Sequence, residues 1–332
     1  MYTGIDLGYN ATKAIAGDRR AHFPSAVGTP ERARFSLNGA SAPAIVFTAP
    51  GHVLVGEEAV AQSRFLNRRE DRRWIESDDW LTLFHAAVTE LTSASVELDL
   101  VTGLPVAFYD DKAQVQARLL GEHRVQRADR RAQTLTVRNV RCIPQPFGAL
   151  LAAVLDEHGQ IADATLAKAN VGVIDVGGKT CNLLSVNRLS EIGRETASIN
   201  VGGWTIVRAV RDWLAREQPG LDDLRDHQLA EAIKARAIRA YGEPVAAFPQ
   251  LIEAVTAELA AQIIAQASQL WNGGATLDAI LVTGGGALLL GDAIRAHWKH
   301  ARVVADPVFA NALGYERLAR RLYSVKPKNG TV

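Results

Sequence analysis

Apolar positions along this chain follow two alternating periods. Runs of four to eight apolar residues, bounded by Gly, Pro or Asp, predict buried strands. Segments with apolar residues three and four apart predict helices. Residues 2–8 read as a strand, 11–17 as its hairpin partner, and 21–25 as a third strand or a turn. Short β-type runs at 44–47 and 52–56 and a helix over 57–64 fall within 28–75, which reads as a small insertion outside the main sheet. A helix is predicted over 79–92, with Leu81, Phe84, Val88 and Leu91 on its apolar face and Asp78 or Asp79 as its cap. A buried strand follows at 98–105, a helix at 112–120, a strand pair at 121–125 and 134–138, a further strand at 140–143 and a helix at 146–156.

The second half repeats the plan. Strands are predicted at 171–175, 180–186 and 194–199, then helices at 204–216, 226–240 and 248–271. A strand at 278–283, a helix at 288–300, a strand at 302–304 and a helix at 310–322 complete it, and 326–332 is expected to fray. Three strands, an insertion, then alternating helices and strands thus occur twice. That order predicts two related α/β domains facing a cleft. Domain I takes 1–150 plus 308–325, with the insertion at 28–75. Domain II takes 151–307, with a helical insertion at 204–272.

One phrase occurs in both halves. Gly4-Ile5-Asp6-Leu7-Gly8-Tyr9-Asn10-Ala11-Thr12-Lys13 returns as Val173-Ile174-Asp175-Val176-Gly177-Gly178-Lys179-Thr180, the two Asp residues lying 169 positions apart. Gly lets the chain turn back tightly, and such a turn presents backbone N–H groups that suit phosphate oxygens. Gly8 to Lys13 and Gly177 to Thr180 are therefore the candidate phosphate-binding turns. Asp6 and Asp175, at the strand ends, can hold a hydrated Mg²⁺ and orient an attacking water. Lys13 can reach a β-phosphate, where a charge-assisted hydrogen bond is worth roughly 1.5–3 kcal/mol. Gln145 sits between Pro144 and Pro146, which fix the chain on both sides. Its amide can place a water on a γ-phosphate without acting as a strong base. Gly284-Gly285-Gly286 ends another strand and lets the backbone approach a flat purine.

Composition narrows the partners. The 332 residues are 48% hydrophobic and 22% charged, with a net charge of +1, so no global field favours nucleic acid or membrane. Arginines concentrate at 64–73 and 124–141, where interspersed acids suggest solvated helix faces. Cys142 and Cys181 lie in apolar segments, read as buried thiols, and have neither metal-ligand nor disulfide-framework spacing, as expected in a reducing cytoplasm. Met1 leads straight into a strand, so no secretory leader is expected, and no apolar run reaches membrane-spanning length. His85, His227 and His297 read as surface or packing residues.

These motifs, in this order, resemble the actin, sugar-kinase and heat-shock-chaperone ATPase superfamily over nearly the whole chain. Residues 4–13 look like its first phosphate loop, 143–149 its first connecting helix and 173–180 its second phosphate loop. Residues 282–291 look like its adenosine motif and 306–314 its second connecting segment. Lys13-Ala14-Ile15-Ala16-Gly17-Asp18, Phe23-Pro24-Ser25-Ala26-Val27-Gly28 and Asn311-Ala312-Leu313-Gly314 resemble bacterial and archaeal actin-like proteins, the ParM type above all. Gln145 stands where ParM-type proteins usually carry Glu and eukaryotic actins carry Gln.

The resemblance implies an actin-like ATPase fold with ribonuclease H-like sheets, each domain carrying a small subdomain insertion. It also implies ATP or GTP with Mg²⁺, contacts from Gly202 and Gly203 to sugar or phosphates, and Glu231 and Lys234 flanking ribose and base. Leu288 falls within the adenosine motif. The function implied is a cytoplasmic filament whose turnover is set by ATP hydrolysis, serving plasmid segregation through a DNA-binding adaptor, without direct contact to nucleic acid or membrane. Two alternatives differ in class. A small-molecule kinase of the same superfamily would need a further catalytic Asp near the phosphates. An MreB-like or pilus-assembly scaffold would, in the MreB case, favour an apolar or amphipathic membrane-binding element.

Overall fold

The computed structural model describes residues 1–29, 45–48, 52–63, 66–67 and 72–324. Much of the expected insertion at 28–75, most of the Arg-dense stretch 64–73 and the expected frayed end at 326–332 lie outside the described residues. The chain divides into two compact units. One takes Met1–Ala167 and resumes at Phe309, and the other is Lys168–Val308.

The first unit is built on β1 (Tyr2–Leu7), β2 (Ala11–Ala16), β3 (Arg19–Pro24), α1 (Asp78–Leu91), β4 (Val96–Leu104), α2 (Lys112–Leu119), β5 (Gly121–Val125), β6 (Gln133–Pro144) and α3 (Phe147–Val154). Its sheet runs β3-β2-β1-β4-β6-β5. β1 pairs antiparallel with β2 and parallel with β4, and is buried along nearly its whole length, hence its continuous apolar run. β6 joins the two strands expected at 134–138 and 140–143. A bulge between Val137 and Asn139 lets one strand run the length of β4, while its first half also pairs with β5. At the bulge Arg138 and Asn139 both donate to the buried Asp99 carboxylate, at 3.0 and 2.8 Å. A small sheet of Val27–Gly28, Ile45–Phe47, Val53–Val55 and Leu66–Asn67 lies beside it.

α1 starts earlier than expected and has a different cap. The Ser77 side chain accepts from Trp80 N, while Asp78 and Asp79 lie in the first turn. Trp80, Leu83, Phe84, Ala87, Val88 and Leu91 are buried, and Leu81 sits at the edge of that face. The indole of Trp80 outweighs a leucine in apolar area and draws the helix round by one position.

The arginines of 124–141 do not form a helix face, since they lie on β5, β6 and the turn between them. Arg127 is 1% exposed. Its guanidinium grips Asp129 with two bonds of 2.8 and 2.9 Å and also reaches Glu90. Ala128 N donates to Val46 O and Thr48 N to Gln126 O, so the small sheet is tied to this turn.

His85 packs against Phe47, Phe84 and His123. His123 Nε2 lies 2.9 Å from the Leu119 carbonyl and must donate to it. Its Nδ1 therefore accepts from His85 Nε2 at 3.2 Å. A proton added to the His85 ring would sit against Phe47 and Phe84. Burial, with His123 adding to it, drives the His85 pKa down to about 3. The unfolded chain takes up this proton near pH 6.5 and the folded chain does not. Stability should thus fall as pH drops from about 6.5 toward 4, by up to about 1.4 kcal/mol per pH unit. Urea titrations of wild type and His85→Phe across this range test it. If the two lose stability in parallel, the assignment to His85 is wrong.

The second unit repeats the strand order. It has β7 (Asn170–Val176), β8 (Cys181–Asn187), β9 (Ala197–Ile199), α4 (Gly203–Glu217), α5 (Asp226–Ala235), α6 (Phe248–Leu270), β10 (Ala279–Thr283), α7 (Ala287–His297) and β11 (Ala301–Val303). β7 is antiparallel to β8 and parallel to β10, which is parallel to β11. Two expectations fail here. The first half of 194–199 is a 3₁₀ turn, Gly193–Glu195, ahead of β9. The helix expected over 226–240 ends at Ala235, because Arg236 turns left-handed at φ 50°. Arg239–Ala240 then pairs with Glu243–Pro244 across Tyr241 and Gly242, both at positive φ, the backbone a two-residue hairpin requires.

The chain re-enters the first unit in α8 (Ala310–Tyr323), which packs on β1 and α3 at backbone distance. A Cβ on Gly314 would lie 1.8 Å from the Gly148 carbonyl oxygen. Asn311 Oδ1 accepts from Ala149 N at 3.1 Å and fixes the register. Both cysteines are buried and free. Among the described residues no helix is long and apolar enough to cross a membrane.

Candidate functional site

In the first unit β1 brings Asp6 to the sheet end, where it is 3% exposed. Antiparallel pairing sets Asp6 opposite Lys13. Lys13 Nζ lies 3.3 Å from Asp6 Oδ2, and Gln145 Nε2 donates to Oδ1 at 2.8 Å. Both carboxylate oxygens thus have a donor, and the Gln145 amide keeps its own oxygen as an acceptor for water. Gln145 is held through its main chain as well as by its prolines. Its N–H donates to Leu104 O at 2.7 Å, and its carbonyl accepts from Gly148 N and the Tyr315 hydroxyl.

The connecting turn is Gly8-Tyr9-Asn10, with Ala11, Thr12 and Lys13 beginning β2. Ser25, expected only as the end of the 21–25 strand or turn and as part of the Phe23–Gly28 phrase, clasps this turn. Ser25 Oγ donates to Gly8 O at 2.6 Å, Ser25 N donates to Asn10 O at 3.0 Å, and Thr12 Oγ1 lies 2.9 Å from Ser25 Oγ. The clue was a Ser directly after a strand end that pairs back onto the turn. Tyr9 stacks on Trp74 at 4.9 Å.

In the second unit Asp175 is the penultimate residue of β7, 3% exposed, and pairs in register with Asn182. The turn at Gly177-Gly178-Lys179-Thr180 is clasped from outside. Gly203 N donates to Gly177 O at 3.0 Å and Trp204 N to Gly178 O at 2.8 Å. A Cβ on Gly202 would fall 2.6 Å from both carbonyl oxygens. Gly284, at φ 84°, crosses beneath: a Cβ there would strike Val176 O at 2.4 Å and Asp175 Oδ1 at 2.6 Å. Gly286 N donates to Val176 O at 3.0 Å, whereas a Cβ on Gly285 would meet open space. The neighbours that require Gly284 and Gly286 are thus Val176 and Asp175, and Gly285 offers the open side. Asp175, Gly202, Gly203 and Gly284–Gly286 gather around one turn.

Glu231 and Lys234 lie on α5, largely exposed, and pair with each other at 2.7 Å. Leu288, in the first turn of α7, is 64% exposed. Among the described residues no three His, Cys, Asp or Glu side chains cluster as direct metal ligands. Single carboxylates such as Asp6 and Asp175 suit a magnesium that keeps its water shell. Backbone-lined turns and the open side of Gly285 suit phosphates and a flat base.

A family model described as actin like proteins N terminal domain matches residues 4–148. A second, described as archaeal actin homologue MreB-like, C-terminal, matches residues 173–296. The chain belongs to the actin-like ATPase superfamily. No curated protein sequence matches it. Ta0583, an archaeal actin homologue, has a similar solved structure at TM-score 0.79 and 22% identity, covering 96% of this chain and 99% of that one. Its complex with ADP gives TM-score 0.77 at the same identity and coverage. A ParM from a 15-stranded Clostridium botulinum filament gives TM-score 0.78 at 22% identity, covering 96% and 98%. This actin-like chain therefore has the fold of archaeal actin homologues and ParM.

Proposed function

We propose that this protein is a cytoplasmic, filament-forming ATPase whose polymer turns over with nucleotide hydrolysis, in the service of DNA segregation. The carrying observation is the Lys13–Asp6–Gln145 constellation. A carboxylate held between an ammonium and an amide at a phosphate-type turn is suited to hydrolysis rather than to binding alone. Backbone N–H groups of the turns within 8–13 and 177–180 bind phosphate oxygens, except Gly177 N, which donates to Thr180 O, and Lys13 takes the β-phosphate. Asp6 and Asp175 hold waters of the Mg²⁺ shell, and Gln145 places the attacking water. Mg²⁺, when bound, neutralises phosphate charge. Gly285 lies against the base, Gly202 and Gly203 approach sugar or phosphate, and Leu288 covers the base edge. Glu231 and Lys234 flank ribose and base only by giving up their mutual pairing. ATP is the nucleotide we assign, and GTP is the alternative.

An actin-like protomer propagates through heterologous contacts that do not close, and the DNA is reached through an adaptor protein rather than directly. Polymer should appear above a critical concentration with ATP and Mg²⁺ and decline as ADP accumulates, with turnover per protomer rising over the same range. Sedimentation and light scattering with ATP, GTP, ADP and no nucleotide test this. A monomer under all four conditions, with turnover accelerated by a small hydroxylated compound, would instead mark a kinase. A second reading, a static MreB-like scaffold, draws on the match at 173–296. It predicts polymer indifferent to ADP.

A further inference from the structure

We infer that Tyr315 is the positioning residue for Gln145. This rests on the reading that Gln145 places the attacking water. Tyr315 lies on α8, 170 residues from Gln145, and is 0% exposed. It packs with Val101 and Ala319, surroundings in which phenylalanine would serve the apolar contacts equally well. A phenol buried in such surroundings is costly unless its hydroxyl is bonded. That hydroxyl donates to the Gln145 carbonyl at 3.0 Å.

The ring is closely enclosed. A Cβ on Gly103 would fall 2.0 Å from the Tyr315 hydroxyl, and one on Gly148 would fall 2.6 Å from its Cε1. Gly103 is therefore reduced to hydrogen to admit the phenol, and Gly148 to admit both the ring and the Asn311 backbone, whose Cα and O would also lie 2.6 Å from a Cβ there. The same Gly103 Cβ would lie 3.1 Å from Gln145 Cα, so phenol and Gln145 backbone share one slot. The Gln145 peptide is then pinned at Leu104 O, Gly148 N and the Tyr315 hydroxyl, while its side chain reaches Asp6. An amide that bonds a carboxylate on one side and a water on the other is sensitive to a small swing of its backbone.

The test is Tyr315→Phe, which keeps the ring and removes only the hydroxyl. Turnover should fall roughly three- to tenfold, the rate equivalent of one neutral hydrogen bond. KM for ATP and the nucleotide-induced rise in Tm should stay near wild type, and circular dichroism should be unchanged. In a Gln145→Ala background, adding Tyr315→Phe should cost nothing further, because a positioning residue has nothing left to position. Wild-type turnover in Tyr315→Phe beside slowed Gln145→Ala overturns the inference and leaves the Gln145 reading standing. A full additional loss in the double variant also overturns it, since Tyr315 would then act elsewhere. Wild-type turnover in Gln145→Ala removes the Gln145 reading, and this inference with it.

Discussion

Asp175→Ala should lower ATP turnover at least ~10²-fold, about 2.7 kcal/mol of barrier, while the fold survives. Asp175 lies next to the end of a strand buried on both faces, and its carboxylate sits above Gly284 at a distance no other residue there would allow. The turn beyond it is clasped by Gly203 and Trp204, so the backbone keeps its course without the side chain. On the proposed function, the variant loses the charge that would hold metal-bound water. Phosphate release at saturating ATP with Mg²⁺ is the measurement, with circular dichroism as the control for folding. A natively folded Asp175→Ala that releases phosphate at the wild-type rate would sink the assignment.

Gly314→Ala should cost about 3 kcal/mol, at the upper end for overpacking, and lower Tm by roughly 6–12 °C for a unit of this size. The added methyl would sit 1.8 Å from Gly148 O and 2.8 Å from Ala152 N, both backbone atoms of α3. No flexible side chain can yield, so the two helices must part. On its other side α8 presses Ala312 O to within 2.0 Å of where a Cβ on Gly4 would stand, so α8 has little room to retreat. A thermal melt settles the matter. An alanine variant melting within about 2 °C of wild type would mean that the helices separate at little cost.

The two strand–Asp–Gly phrases were legible before any coordinates. A strand buried on both faces must be apolar throughout, and the tight turn at its end must be small or polar. Those demands act on neighbouring residues and leave a local pattern. The same holds for Gln145 between its prolines and for most helix bodies. Leu81 was the misjudged position in α1, because spacing alone cannot weigh a leucine against the tryptophan beside it. The bulge that fuses 134–138 with 140–143 was invisible for a related reason: one extra residue looks like a break in period, and only the neighbouring strand and buried Asp99 show that the chain continues.

Chain order, strand and helix content and the charged groups at the strand ends were thus determined by the sequence itself, since each follows from interactions between residues a few positions apart. Tertiary structure alone decided what those groups touch. Asp6 meets Gln145 across 139 residues, and Tyr315 meets Gln145 across 170. Arg127, which composition suggested was solvated, is buried because Glu90 and Asp129 converge on it. Such pairings depend on which crossover lays one element against another. Packing sets that through methyl-sized clearances at Gly4, Gly103, Gly148 and Gly314, because burial and close contact act over distances in space that no spacing along the chain records.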